Sequence, residues 1–258
     1  MTGETTELHG QEEQGGELTL LEHLNELRVR LTWAAVGLLI ATVISFIFAE
    51  DILNFLLRPY AASTPGGAAL QTLRPTEGLE TFFKVSLMAG AIISMPVILI
   101  QFWLFISPGL TKQERRYVFI FVPSALILFI LGIAFAWFIL APAAIFFLAN
   151  FMPDIFKTDW TGNEYISFVT RLLFWLGFSF ELPIVIYFVA RVGVISAQTL
   201  RDQWRVAIVA VAVIAAMITP SIDPVTMLLT MAPLIVLYIL SIALARIGER
   251  QFQRSMAI

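Results

Sequence analysis

Long unbroken apolar runs, separated by short polar stretches, dominate the chain. A helix needs about 20 apolar residues to cross roughly 30 Å of hydrocarbon. Residues 31–49 form the first such run, ended by Glu50 and Asp51, and residues 85–106 form the second, interrupted only by Pro96. The third, 117–151, is too long for one crossing, and Pro142 is expected to divide it into a span and a short helix beyond the bilayer. Residues 168–190 make the fourth and carry Glu181 in their middle. The fifth, 206–219, is short and stops at Pro220; the sixth, 225–245, follows after five residues, so the two form a tight hairpin. Alternating ten-residue strands are absent, which argues against a membrane β-barrel. The pattern predicts an all-α polytopic membrane protein: six transmembrane helices in a concave bundle.

Three parts follow from the same pattern: an acidic tail over 1–19, a membrane domain over 20–250 and a short tail over 251–258. Composition agrees. Only 14% of residues are charged and 59% are hydrophobic, against roughly 25% charged in soluble domains. That leaves too little polar surface to cover a soluble body, and a net charge of −3 offers no nucleic-acid surface. No cysteine is present, and the two histidines, His9 and His23, lie before the first span, so neither a thiolate site nor an intramembrane histidine metal centre is available. No cofactor is expected.

Basic residues set the orientation. Eleven of the 16 fall on one side: Arg28, Arg30, Lys112, Arg115, Arg116, Arg191, Arg201, Arg205, Arg246, Arg250 and Arg254. The other side holds Arg58, Arg74, Lys84, Lys157 and Arg171. Both termini are therefore expected in the cytoplasm, with the loop containing Pro59 and the turn containing Asp223 outside.

Some polar residues do more than anchor spans. Leu20, Leu24, Leu27 and Leu31 make one apolar stripe, so 21–30 is expected to form an amphipathic helix at the inner surface. Ser107-Pro108-Gly109 ends the second span, and Thr111 with Glu114 makes a capping box for the third. A carboxyl at Glu181 costs at least about 2.5–3.5 kcal/mol on insertion scales, which marks it as a functional candidate. Pro183 is expected to bend the helix around it.

Four motifs in order resemble the TatC family, the receptor subunit of the twin-arginine protein translocase. They are His23-Leu24-Asn25-Glu26-Leu27-Arg28-Val29-Arg30; Phe105-Ile106-Ser107-Pro108-Gly109-Leu110 followed by Glu114-Arg115-Arg116; Phe178-Ser179-Phe180-Glu181-Leu182-Pro183; and Thr219-Pro220 with Asp223. One departure is Ile222, which intervenes before Asp223; the glutamate-rich tail is another. The resemblance implies a multi-pass protein of the cytoplasmic membrane that binds twin-arginine signal peptides of folded cargo, works with single-span partner subunits of the TatA and TatB type, assembles with copies of itself, and draws on the proton motive force. It implies no enzyme activity. Glu26 and Glu114 would bind the two arginines, with Leu27, Arg28, Phe105, Pro108, Arg115 and Arg116 shaping the patch. Glu181, Gln101 and Thr219 would be intramembrane polar contacts for partner helices. Two carboxylates suit the task, because guanidinium is always charged and its planar fork matches a carboxylate. The rival reading from topology alone is a proton-coupled transporter or channel built on Glu181.

Overall fold

A computed structural model describes residues 20–63, 70–106, 112–152, 154–155, 160–219 and 223–256. Among them, every regular element is helical: α1 (Leu20–Ile47), α2 (Ala49–Leu56), α3 (Arg58–Ser63), α4 (Glu77–Ile106), α5 (Lys112–Phe135), a π-helical turn (Ala136–Leu140), α6 (Ala141–Ala149), α7 (Gly162–Ser179), α8 (Leu182–Arg191), α9 (Ala197–Asp202), α10 (Trp204–Ile218) and α11 (Pro224–Met256). Five segments are long and apolar enough to cross a membrane, and α10 is a shorter sixth. At 1.5 Å per residue, its 15 residues reach only about 22 Å.

Two expected boundaries move and one bend is kept. The amphipathic segment 21–30 is no separate surface helix: α1 is continuous for 28 residues, so the motif extends the first span by more than two turns. Pro142 does not break the third run either. The helix widens into the π turn just before it and continues to Ala149, since a π turn gives the ring room against the preceding carbonyl. The fourth run stays one span, Gly162–Arg191, and its expected irregularity falls at Phe180 and Glu181, between α7 and α8. Pro183 donates no N–H, and the Glu181 N–H falls back on the carbonyl of Phe178, a tighter turn than the helix on either side.

Small residues bring the helices together. A Cβ on Gly90 of α4 would lie 2.6 Å from the Thr42 Cα of α1, so only glycine permits that backbone approach. Ala41 and Ser45 of α1 and Ser86, Ala89 and Ser94 of α4 are buried as well. This is the small-residue packing expected where lipid tails remove the hydrophobic drive between helices. Gly132 of α5 and Gly177 of α7 meet in the same way, 2.8 Å from a Cβ on the former to the Cα of the latter. The opposite flank of α1 is apolar and bare: Leu31, Trp33, Leu39, Ile40, Val43 and Ile47 are all exposed. Such a face suits hydrocarbon and not water.

The helix ends define two faces. The starts of α1 and α5 and the ends of α4, α8 and α11 share one, here the terminal face; α2, α3 and the segments before α4 and α7 lie at the other, the loop face. The two larger of three apolar clusters among the described residues follow this division. One, towards the terminal face, packs Leu99 and Trp103 of α4 against Phe121 and Phe129 of α5 and Ile184 and Phe188 of α8. The larger one, towards the loop face, joins Leu56 and Tyr60 to Trp137, Ile145, Tyr165, Leu172 and Leu176.

Candidate signal-peptide site and intramembrane polar groups

The terminal face draws two distant sequence motifs together through α4. His23 of α1 stacks on Phe105 in the last turn of α4, with ring centroids 4.6 Å apart. Two residues earlier, Trp103 stacks on Phe121 of α5 at 5.0 Å and meets Phe188 of α8 edge-on at 4.8 Å. The end of α4 is thereby fixed to α1 on one side and to α5 on the other. Glu26 lies one turn along α1 from His23. Its Oε1 accepts a hydrogen bond from the Arg30 guanidinium at 3.3 Å, and the carboxylate stays part-exposed. Leu27 and Arg28 beside it are exposed.

The other half of the expected patch is placed only by its backbone. Glu114, Arg115 and Arg116 occupy the first turns of α5, with side chains outside the described residues. Pro108 and Thr111, including the expected cap of α5, lie outside them altogether. Glu114 is seven residues before Phe121, about 10 Å along the helix. Sequence reasoning passed over His23 and Arg30 as parts of this site. His23 was legible as the one imidazole inside a charged motif; its stacking partner, 82 residues away, was not.

The intramembrane polar groups separate into engaged and available. Glu181 is buried at the break between α7 and α8, and its Oε1 has no hydrogen-bond partner. A partnerless polar atom in such a place is costly. Gln101 of α4 is half-buried, and its Oε1 is equally without a partner. Thr219 is different: its buried hydroxyl donates to the Ala215 carbonyl at 2.8 Å and so closes the end of α10. Asp223 caps α11, accepting from the Thr226 N–H at 2.6 Å. Pro59 is the second residue of α3, within its first turn, where its missing N–H costs nothing. A groove of about 570 Å³ opens between α10 and α11, lined by Arg201, Trp204, Ile208, Val211, Ile235 and Tyr238 among others. Among the described residues, no group of His, Asp and Glu is arranged to hold a metal ion.

One buried carboxylate escaped the sequence reading. Glu77, 2% exposed, opens α4 at the loop face. Its Oε2 accepts from the N–H groups of Leu73 and Arg74, at 2.8 and 3.3 Å, and its Oε1 from the N–H of Asn163 on α7, at 3.1 Å. These three N–H donors compensate the burial of the carboxylate. Beside it, Gln71 and Thr161 form a parallel bridge, Tyr165 donates to the Leu56 carbonyl at 2.7 Å, and Tyr60, Trp160 and Tyr165 pack ring on ring.

Comparison with known proteins accounts for this arrangement. Residues 22–233 match the family model described as Sec-independent protein translocase protein (TatC). The Sec-independent protein translocase protein TatC of Helicobacter pylori (strain J99) is 39% identical over 227 residues, covering 88% of each chain. That of Aquifex aeolicus is 39% identical, covering 91% of this chain and 97% of the relative. A solved structure, described as the crystal structure of the twin arginine translocase receptor TatC, superimposes with a TM-score of 0.81 at 39% identity, over 88% of this chain and 99% of its own. A match across most of the length in sequence and in helix arrangement means that this chain belongs to the TatC family of Sec-independent protein translocase proteins.

Proposed function

We propose that this protein is the receptor and core subunit of a twin-arginine translocase. It binds signal peptides of folded cargo at its terminal face, and both of its termini lie in the cytoplasm. The observation that supports this most is the junction at the end of α4, where His23 meets Phe105 and Trp103 meets Phe121. Those contacts tie the α1 motif that carries Glu26 and, through Phe121, the helix whose first turns carry Glu114 to the same turn of α4.

In this reading the Glu26–Arg30 pair is a resting state. An i,i+4 ion pair near solvent contributes about 0.3–0.5 kcal/mol, so an arriving arginine displaces Arg30 at little cost and takes its carboxylate. Glu114 receives the second arginine, and Leu27, Arg28, Phe105, Pro108, Arg115 and Arg116 frame the patch. A fork-shaped guanidinium makes paired, charge-assisted hydrogen bonds that a lysine ammonium does not reproduce. The apolar remainder of the signal peptide runs along the helix wall towards Glu181 and Gln101, whose free oxygens accept polar groups of the entering peptide or of a partner helix. The single-span partner subunits dock along the short α10, from its groove with α11 to Thr219 at the helix's other end, and the proton motive force drives passage. Several copies of the receptor assemble in the cytoplasmic membrane.

The test is cross-linking of the membrane-embedded protein to a signal peptide carrying Arg-Arg or Lys-Lys. Arg-Arg is expected to cross-link and Lys-Lys to fail, with Glu26→Ala and Glu114→Ala each reducing the Arg-Arg product at least about tenfold. Equal cross-linking of both peptides sinks the reading.

A further inference from the structure

A second cavity, of about 470 Å³, lies at the loop face between α4, α6 and α7, at the far end of α4 from Phe105. Lys84, Arg171, Glu164, Trp160, Ser167 and Phe168 are among its lining residues. None of these residues belongs to the site described above.

The charges in this wall do not cancel. Lys84 donates to the side-chain oxygens of Asn163 and Ser167, the latter at 2.9 Å. Both acceptors are neutral, so the ammonium is oriented but not compensated. Arg171, one turn beyond Ser167 on α7, is exposed and forms no hydrogen bond or ion pair with the described residues. Glu164 supplies one negative charge in the first turn of α7, where the helix dipole favours an acid. Among the described residues that line the cavity, two cations and one anion leave a single positive charge unmatched; Glu77, which accepts from the Asn163 N–H, lies outside the lining with its carboxylate already engaged by three N–H groups.

Depth adds to the cost. Lys84 is seven residues, about 10 Å, inside the start of α4, and Arg171 is nine residues, about 13 Å, inside the start of α7. Both lie in segments apolar enough to span a membrane. Unpaired cations at such positions are expensive. Beside them Trp160, Leu148 and Phe168 provide apolar wall, and Trp160 packs on Tyr60 and Tyr165 as an interfacial aromatic does. Charged donors beside apolar wall, in segments apolar enough to span a membrane, fit a lipid phosphate.

We propose that the cavity between Lys84 and Arg171 binds the phosphate of a phospholipid with one net negative charge, in the leaflet on the loop face. The phosphodiester balances the excess charge. A zwitterionic lipid brings an ammonium that restores the imbalance, so the site discriminates between the two. Neither cation takes part in the signal-peptide reading, and the two fail independently.

The experiment uses the full chain in detergent and follows Tm against added phosphatidylglycerol, phosphatidylcholine or inorganic phosphate. Phosphatidylglycerol is expected to stabilise at roughly fivefold lower concentration than phosphatidylcholine, the size expected for one basic residue near a headgroup. Lys84→Gln with Arg171→Gln abolishes that preference, Lys84→Arg with Arg171→Lys keeps it, and Glu164→Gln enlarges it. Should the double variant fail to fold, Arg171→Gln alone, at an exposed position, must at least halve the preference. Equal response to the two lipids, or a preference unchanged by Arg171→Gln, overturns the proposal. Stabilisation by inorganic phosphate at the same concentration also overturns it, since the ligand is then a free anion.

Discussion

Glu77 and Glu181 are both buried carboxyl groups of the same bundle, 2% and 6% exposed, and their surroundings are opposite. Three backbone N–H groups converge on Glu77, from the segment before α4 and from the start of α7. Its burial is compensated, and the carboxylate ties together two stretches of chain 86 residues apart. Glu181 sits where Pro183 interrupts a helix, and one of its oxygens faces no partner at all. The difference teaches that burial of an acid does not reveal its role; the count of donors around it does. The Glu77 carboxylate is satisfied by three N–H groups, whereas Glu181 keeps an oxygen without a partner.

The largest effect expected from breaking this comparison is at Glu77. Replacing it by alanine leaves three N–H groups without an acceptor, and Tm of the detergent-solubilised protein should fall by roughly 5–10 °C. Glu77→Gln keeps one acceptor oxygen and should fall between the variant and the wild type. A Tm unchanged by Glu77→Ala would show that the loop-face clamp is not structural. Next in size is Gly90→Ala, which forces α1 away from α4 against the Thr42 backbone and should cost about 1–3 kcal/mol in a denaturant titration.

Glu181→Gln sharpens the contrast from the other side. Replacing the carboxyl, one of whose oxygens has no partner, by a neutral amide of the same size should hold Tm within about 2 °C, while export of a twin-arginine reporter falls. A Tm loss as large as that of Glu77→Ala would mean that Glu181 is structural after all. The smallest expected effect lies at the surface. Arg30→Ala should change stability by less than about 0.5 kcal/mol but tighten Arg-Arg peptide binding about twofold by releasing Glu26, readable by titration of a labelled peptide.

Much of the fold was legible because lipid imposes strict terms on a sequence. A chain in hydrocarbon must close its backbone hydrogen bonds within each segment, so the apolar runs announce the spans directly. Short α10 was visible for the same reason, and so was the anomaly of an acid at Glu181. Local breaks were less legible. Pro96, Pro123 and Pro233 all lie inside continuous helices, whereas Pro183 divides one and Pro142 follows a π turn. The proline is the same in each case. What differs is whether neighbouring helices and backbone readjustment absorb the lost hydrogen bond, and that is decided by packing.

The candidate site divides along the same line. Sequence by itself determined that the chain is a set of apolar helices, which residues carry charge at their ends, and, through four ordered motifs, the family to which it belongs. These follow from composition and spacing, which act locally. Tertiary structure alone decided that His23 would meet Phe105, that Glu77 would bond to Asn163, and that Lys84 and Arg171 would share a cavity. Each of those pairs is separated by more than eighty residues in the chain. Their proximity is set by how small residues such as Gly90 and Gly132 let helices approach, a property of facing surfaces that no single stretch of sequence contains.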